Sequence, residues 1–184
     1  MKSILIIIMI FYLSYSVYGQ RMIPKQKSIE INSGLFIKKD SESYFINTGL
    51  AIFSKRENYM LYSLEYSKNS VPYKSVKIPV ENYTAEVGYS FNILANRTKS
   101  FMVNTSLSAM GGYEHINKGE LLLYDGAKLL NKSSFIYGMS AKLSLETYLS
   151  DRIAIIASTR ARILFKTSQD QLMSSIGIGL RINL

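Results

Sequence analysis

The 184-residue chain has no cysteine, one histidine and three prolines. Without cysteine there is no disulfide, and no lipid can be attached to a mature cysteine. His115 alone, with no thiol beside it, makes no metal set. Gly-x-Gly-x-x-Gly, a phosphate loop and a Gly-x-Ser-x-Gly elbow are all absent. These gaps argue against an enzyme, a cofactor, a metal or a small-molecule substrate. No 3.6-residue apolar period persists after Gln20, so a membrane-crossing segment in the mature chain has to be built from strands.

What is present begins with an export pattern. Met1-Lys2 is basic, Ile4–Leu13 is a continuous apolar run, and Val17 and Gly19 stand at the −3 and −1 positions of a cleavage site before Gln20. The run of about ten residues is short of the ~20 that a spanning anchor needs, so residues 1–19 read as a secretory signal peptide. The mature chain, 20–184, is then 165 residues and one domain, with 21 basic and 13 acidic side chains. The basic residues are scattered through expected turns (Lys38, Lys39, Lys55, Arg56, Lys74, Lys77, Arg97, Lys99). A solvated rim near anionic headgroups accounts for them better than a nucleic-acid site does.

The last eleven residues show the pattern that organises the rest. Ile176, Ile178, Leu180, Ile182 and Leu184 share one face of an extended strand, and Gly177, Gly179, Arg181 and Asn183 share the other. The same alternation recurs in eight segments: about 27–37, 44–53, 59–67, 80–92, 101–113, 134–149, 153–166 and 174–184. Connections after the second, fourth and sixth are short. Those after the third (67–79, with Pro72 and Pro79) and the fifth (114–133) are expected to be long. The pattern fits an all-β fold: an eight-stranded antiparallel up-and-down transmembrane β-barrel, following a cleaved signal peptide, with both termini in the periplasm.

Two bands of aromatics are expected at the membrane interfaces. Tyr44, Tyr66, Tyr83, Tyr113, Phe135, Tyr137 and Phe165 fall near one end of the strands. Phe53, Tyr59, Phe91, Phe101 and Tyr148 fall near the other. The competing architecture is a secreted lipocalin-like barrel with its apolar faces inward. The Gly, Ser and Asn on the polar faces suit a crowded interior and favour the membrane barrel. Leu184 departs from the Phe or Trp on which such barrels commonly finish.

The polar faces also collect Glu30, Glu65, Glu86, Lys142, Glu146, Arg160, Arg162 and Arg181. An eight-stranded barrel fills its lumen with side chains, and charges confined there must pair. The expectation is an interior ionic network, not an ion path. Glu30 and Arg181, on the first and last strands, are expected to meet where the barrel closes.

Several strings are similar to a known family: Arg21-Met-Ile-Pro-Lys-Gln26, Tyr83-Thr-Ala-Glu-Val-Gly-Tyr-Ser90, Gly112-Tyr-Glu-His-Ile-Asn-Lys-Gly-Glu120, Leu123-Tyr-Asp-Gly-Ala127, Leu145-Glu-Thr-Tyr-Leu-Ser-Asp-Arg152 and Gly177-Ile-Gly-Leu-Arg-Ile-Asn183. They resemble the TraO family of conjugal transfer proteins of Bacteroidetes conjugative transposons, over essentially the whole mature chain. The resemblance implies an outer-membrane structural component of a type IV-like mating apparatus in a Gram-negative bacterium. Its partners would be other apparatus proteins and outer-membrane lipid, with no direct contact to nucleic acid and no catalytic residues. The alternative is a general small outer-membrane barrel for adhesion or membrane integrity. Arg21, Lys25, Lys55, Arg56, Arg97 and Lys99 lie at the expected periplasmic end and are candidates for docking.

Overall fold

A computed structural model describes residues 22–37, 43–73, 76–120 and 133–184. The expected signal peptide with its Gly19–Gln20 junction, Arg21, residues 38–42 and residues 121–132 of the long connection lie outside the described residues. Eight strands follow one another: β1 (Lys27–Phe36), β2 (Tyr44–Phe53), β3 (Tyr59–Tyr73), β4 (Val76–Ala95), β5 (Phe101–Ile116), β6 (Ser134–Tyr148), β7 (Ile153–Phe165) and β8 (Leu172–Asn183). Each pairs antiparallel with the next, and β1 closes on β8 to make a barrel. Closure leaves no sheet edge around the ring. Among the described residues no helix is long and apolar enough to cross a membrane.

Strand parity decides the two faces. Ile31, Leu64, Leu107 and Ile178 point outward and are each more than half exposed, whereas Glu30, Ser63, Ser106 and Gly177 point into the lumen. The outer face of the strands is therefore aliphatic and aromatic, and the inner face is small or polar. A water-soluble barrel would reverse this.

The closing seam depends on missing side chains. Gly34 faces Gly177, and Gly179 faces Asn32. A Cβ on Gly34 would lie 2.1 Å from the Ile176 carbonyl oxygen, and a Cβ on Gly177 would lie 2.9 Å from the Phe45 ring. Phe45 thus packs where these glycines leave room, on the bare backbone of the first and last strands.

The structure corrects two expectations. The stretch 67–79 is not a long loop. β3 and β4 stay paired out to Tyr73 and Val76, leaving residues 74–75 as the whole connection. Val71, Ile78 and Val80 continue the inward alternation and pack with Ile116 and Tyr73, so this apolar contact outweighs the turn signal of the two prolines. The second correction concerns the aromatics. Phe53, Tyr59 and Tyr148 are buried in the lumen and do not form part of an outer band. Parity explains this, since Tyr59 shares a face with Ser63 and Glu65. Phe91 and Phe101 do point outward.

Candidate functional site: a plugged lumen and a basic rim

The lumen is layered. At the end where β1 begins and β8 finishes, Met22, Phe53, Tyr59, Leu61, Met102 and Tyr148 form an apolar floor with Ala51 and Ala154. Met22 arrives from the segment before β1. Hydrogen bonds from Lys25 N to the Phe53 carbonyl (2.8 Å) and from Phe53 N to the Gln26 carbonyl (2.9 Å) hold that segment against β2. Toward the other end, Phe36, Phe45, Met110, Ile136, Leu164 and Met173 form a second apolar layer. The charged residues are held between the two.

Nearest the floor, Arg181 and Glu30 stand opposite each other across the β1–β8 seam. Arg181 Nε donates to Glu30 Oε1 at 2.8 Å, and Nη2 donates to Glu146 Oε1 at 3.0 Å. Its Nη1 donates to the other Glu146 oxygen and to the Tyr148 hydroxyl, the latter at 3.2 Å. The Tyr59 hydroxyl donates to Glu146 Oε1 at 2.8 Å, and the guanidinium carbon lies 4.4 Å from the Tyr59 ring centroid. Planar stacking with forked donation is what a guanidinium does and an ammonium cannot. All three charged side chains are within 1 % of fully buried.

A second cluster lies further along. Arg160 bridges Glu65 (2.7 Å) and Glu86 (3.0 Å), and Arg162 pairs with Glu65 (2.8 Å). Arg160 sits 4.9 Å from the centroid of Phe45, the ring over the seam, and Arg162 sits 4.4 Å from that of Phe36. Such contacts contribute up to about 2 kcal/mol each when desolvated.

Lys142 stands cross-strand from Arg160. It lines a cavity of about 30 Å³ with Glu86, Asn32, Asn47, Ser63 and Ser140. That volume admits on the order of two waters, and among the described residues side chains fill the lumen around it. The four acidic and four basic residues singled out from the sequence therefore occupy one interior, and their formal charges balance.

Glu114 falls in the 114–133 stretch that the sequence assigns to a long connection, but it lies within β5. This carboxylate is fully buried at the end of β5 and accepts from Thr167 Oγ1 (2.7 Å) and Ser168 N (2.8 Å), tying the β7–β8 connection to the barrel. Its parity with Gly112 and Met110 was the available signal. The three floor aromatics that enclose Arg181 were also missed as a set.

The basic candidates take a different place. Lys25, Lys55, Arg56, Arg97 and Lys99 are exposed at the terminal end. Lys99 pairs with Glu57 and so links the β2–β3 and β4–β5 turns. Those turns are well defined: Arg56, Glu57 and Lys99 have φ of 58, 59 and 54°, and Asn96 hydrogen-bonds across its own turn to Thr98, Ser100 and Phe101 N. The five cations therefore stand on a fixed rim. Among the described residues no group of three or more potential metal ligands occurs.

A closed eight-stranded barrel, aliphatic outside and filled with paired charges inside, has the architecture of the small outer-membrane β-barrels. Solved structures of that class are similar to it. Ail, the attachment invasion locus protein of Yersinia pestis, solved with the heparin analogue sucrose octasulfate, covers 88% of this chain and 100% of its own at 13% identity, with a TM-score of 0.57. The outer membrane protein OprG from Pseudomonas aeruginosa covers 92% of this chain and 99% of its own at 7% identity, with a TM-score of 0.55. At such identities the likeness is one of fold. No curated protein matches the sequence. The family is defined by sequence instead: residues 23–184 match the family described as Conjugative transposon protein TraO, and the chain belongs to it.

Proposed function

We propose that this TraO-family barrel is a structural, non-enzymatic component of a conjugative mating apparatus, embedded in the outer membrane and acting through its end surfaces. Export by residues 1–19, with cleavage before Gln20, delivers it there and leaves both termini in the periplasm. The observation that carries the reading is the plugged lumen. With apolar layers at two levels and paired charges between, the barrel has no path for DNA or solutes, so its contribution has to come from what its rims and outer wall touch. The ionic network keeps the barrel rigid as a mount. The basic periplasmic rim, made of Lys25, Lys55, Arg56, Arg97 and Lys99 together with Arg21, docks to other proteins of the apparatus.

The test is a deletion in the donor cell, complemented by variants. Deletion is expected to abolish or sharply reduce transfer while growth and permeability stay near normal. Wild-type protein is expected in the carbonate-resistant outer-membrane fraction. Lys55→Glu/Arg56→Glu/Arg97→Glu is expected to insert normally and to lower transfer. Normal transfer after deletion would refute the role in conjugation. Normal transfer with the triple variant would refute only the docking rim.

A further inference from the structure

Charge at the end where β1 begins is one-sided. The segment before β1 carries Lys25, the β2–β3 turn carries Lys55 and Arg56, and the β4–β5 turn carries Arg97 and Lys99, all exposed. Glu57 is the one acid in these three turns, and it is bonded to Lys99. Lys25, Lys55, Arg56 and Arg97 have no acidic partner among the described residues. The β6–β7 turn, opposite the β2–β3 turn in the ring of eight, has one residue of each sign, Asp151 and Arg152. The excess of positive charge is therefore confined to the sector from β1 to β5.

The sector is also held in place before any partner arrives. Ser54 N donates to the Asn58 carbonyl at 2.7 Å, and Asn58 Oδ1 accepts from Asn92 N at 2.9 Å, which ties the β2–β3 turn to the end of β4. The Glu57–Lys99 pair adds a second tie between the same turns. A rim fixed in this way loses little freedom on binding. Beside Lys25, Ile23 is 47% exposed in the turn that Gln26 N closes on the Ile23 carbonyl. Its neighbour Met22 is drawn into the floor, so this turn lies across the underside of the barrel, next to β2.

On the strength of the docking role given above, we propose that this sector takes an acidic segment of another protein of the apparatus. The segment's carboxylates pair with Lys25, Lys55, Arg56 and Arg97, and one apolar side chain rests on Ile23. Arg56 and Arg97 offer forked donors that suit a carboxylate. Strands about 4.8 Å apart put the β1 and β5 positions roughly 20 Å apart along the rim, the length of about six residues of extended chain. Lipid headgroups surround a barrel on all sides, so a rim shaped for them alone would be basic all round, whereas a protein partner approaches from one side. The three basic turns carry no aromatic ring on which a nucleic-acid base could stack. Charge complementarity of this kind selects the partner and its orientation more than it adds affinity.

The test is photo-cross-linking in donor cells, with benzoylphenylalanine in place of Ile23 in one strain and of the exposed Arg152 in another. Position 23 is expected to give a single protein adduct whose cross-linked peptide, sequenced by mass spectrometry, is net acidic; position 152 is expected to give none. Adding Lys55→Glu/Arg56→Glu/Arg97→Glu should lower the adduct about tenfold, the combined effect of three exposed pairs, with the barrel still recovered in the carbonate-resistant outer membrane. Exchanging the acids of the cross-linked peptide for lysine should restore both adduct and transfer in that triple variant. The proposal is overturned by no adduct at position 23, by an adduct to lipid or DNA, by a peptide without net negative charge, by equal labelling from position 152, by an adduct that survives the triple variant, or by failure of the charge exchange to restore it. If transfer is lost in the triple variant alongside any of these, the docking rim stands and only its acidic partner falls; normal transfer removes both.

Discussion

Replacing Arg181 with methionine tests whether the lumen depends on charge pairing or simply on being filled. Arg181 is fully buried and donates to both Glu30 and Glu146. Methionine fills much of its length but leaves two carboxylates under 2 % exposed with no cation between them. Removing one partner of a buried ion pair costs about 3–5 kcal/mol, whereas replacing the whole set by neutral groups of similar shape is close to neutral. Arg181→Met should therefore destabilise the barrel by about 3–5 kcal/mol. The triple variant Arg181→Met/Glu30→Gln/Glu146→Gln should recover most of that loss, because no charge is then left unpaired. The residual cost comes from the lost stacking on Tyr59 and the lost bond to Tyr148, on the order of 1–2 kcal/mol. The assay is urea unfolding in lipid vesicles, with the folded fraction read from heat-modifiable gel mobility because the chain has no tryptophan. If the single variant is as stable as wild type, or no less stable than the triple variant, charge pairing is not what holds this level of the lumen.

Three further outcomes are expected. Gly34→Ala should block or severely slow barrel formation, because its Cβ meets backbone at 2.1 Å, while Gly111→Ala, whose nearest neighbour is the Phe135 ring at 3.5 Å, should fold normally; refolding yields on gels compare the two. Met22→Ala should cost about 2–5 kcal/mol by opening the floor, measured by the same urea titration. Purified barrel in planar bilayers should show no steady conductance, and Met22→Ala with Phe53→Ala should raise only transient opening, since the paired charges above the floor remain.

Met22 also affects how the docking rim can be tested. Replacing the whole stretch from Arg21 to Gln26 would remove the Met22 side chain that seals the floor, in a segment whose backbone is bonded to Phe53. A loss of transfer would then report on stability as much as on docking. Exchanging only the exposed cations on the turns leaves these contacts alone.

Period-two alternation over short segments determines which face each residue takes, so strand number, the aliphatic outer wall and the polar interior could all be read along the chain. The face of Tyr59 could be read in the same way, from its parity with Ser63 and Glu65. Its place near a strand end groups it with an interface band, but position along a strand says nothing about which side the ring takes. Partners are another matter. Glu30 and Arg181 are 151 residues apart, and Glu65 and Arg162 are 97 apart. Strand order alone brings Glu30 and Arg181 to the closing seam, but any of the other three acids could have met any of the other three bases until strand tilt and register set their heights in the lumen. The reach of β3 and β4 past Pro72 and Pro79 likewise depended on tertiary contact, because local turn propensity opposes it and only packing of Ile78 and Val80 against Ile116 overrides it. Local alternation is a property of the backbone and survives in one dimension, whereas charge pairing and strand length depend on neighbours that closure alone brings together.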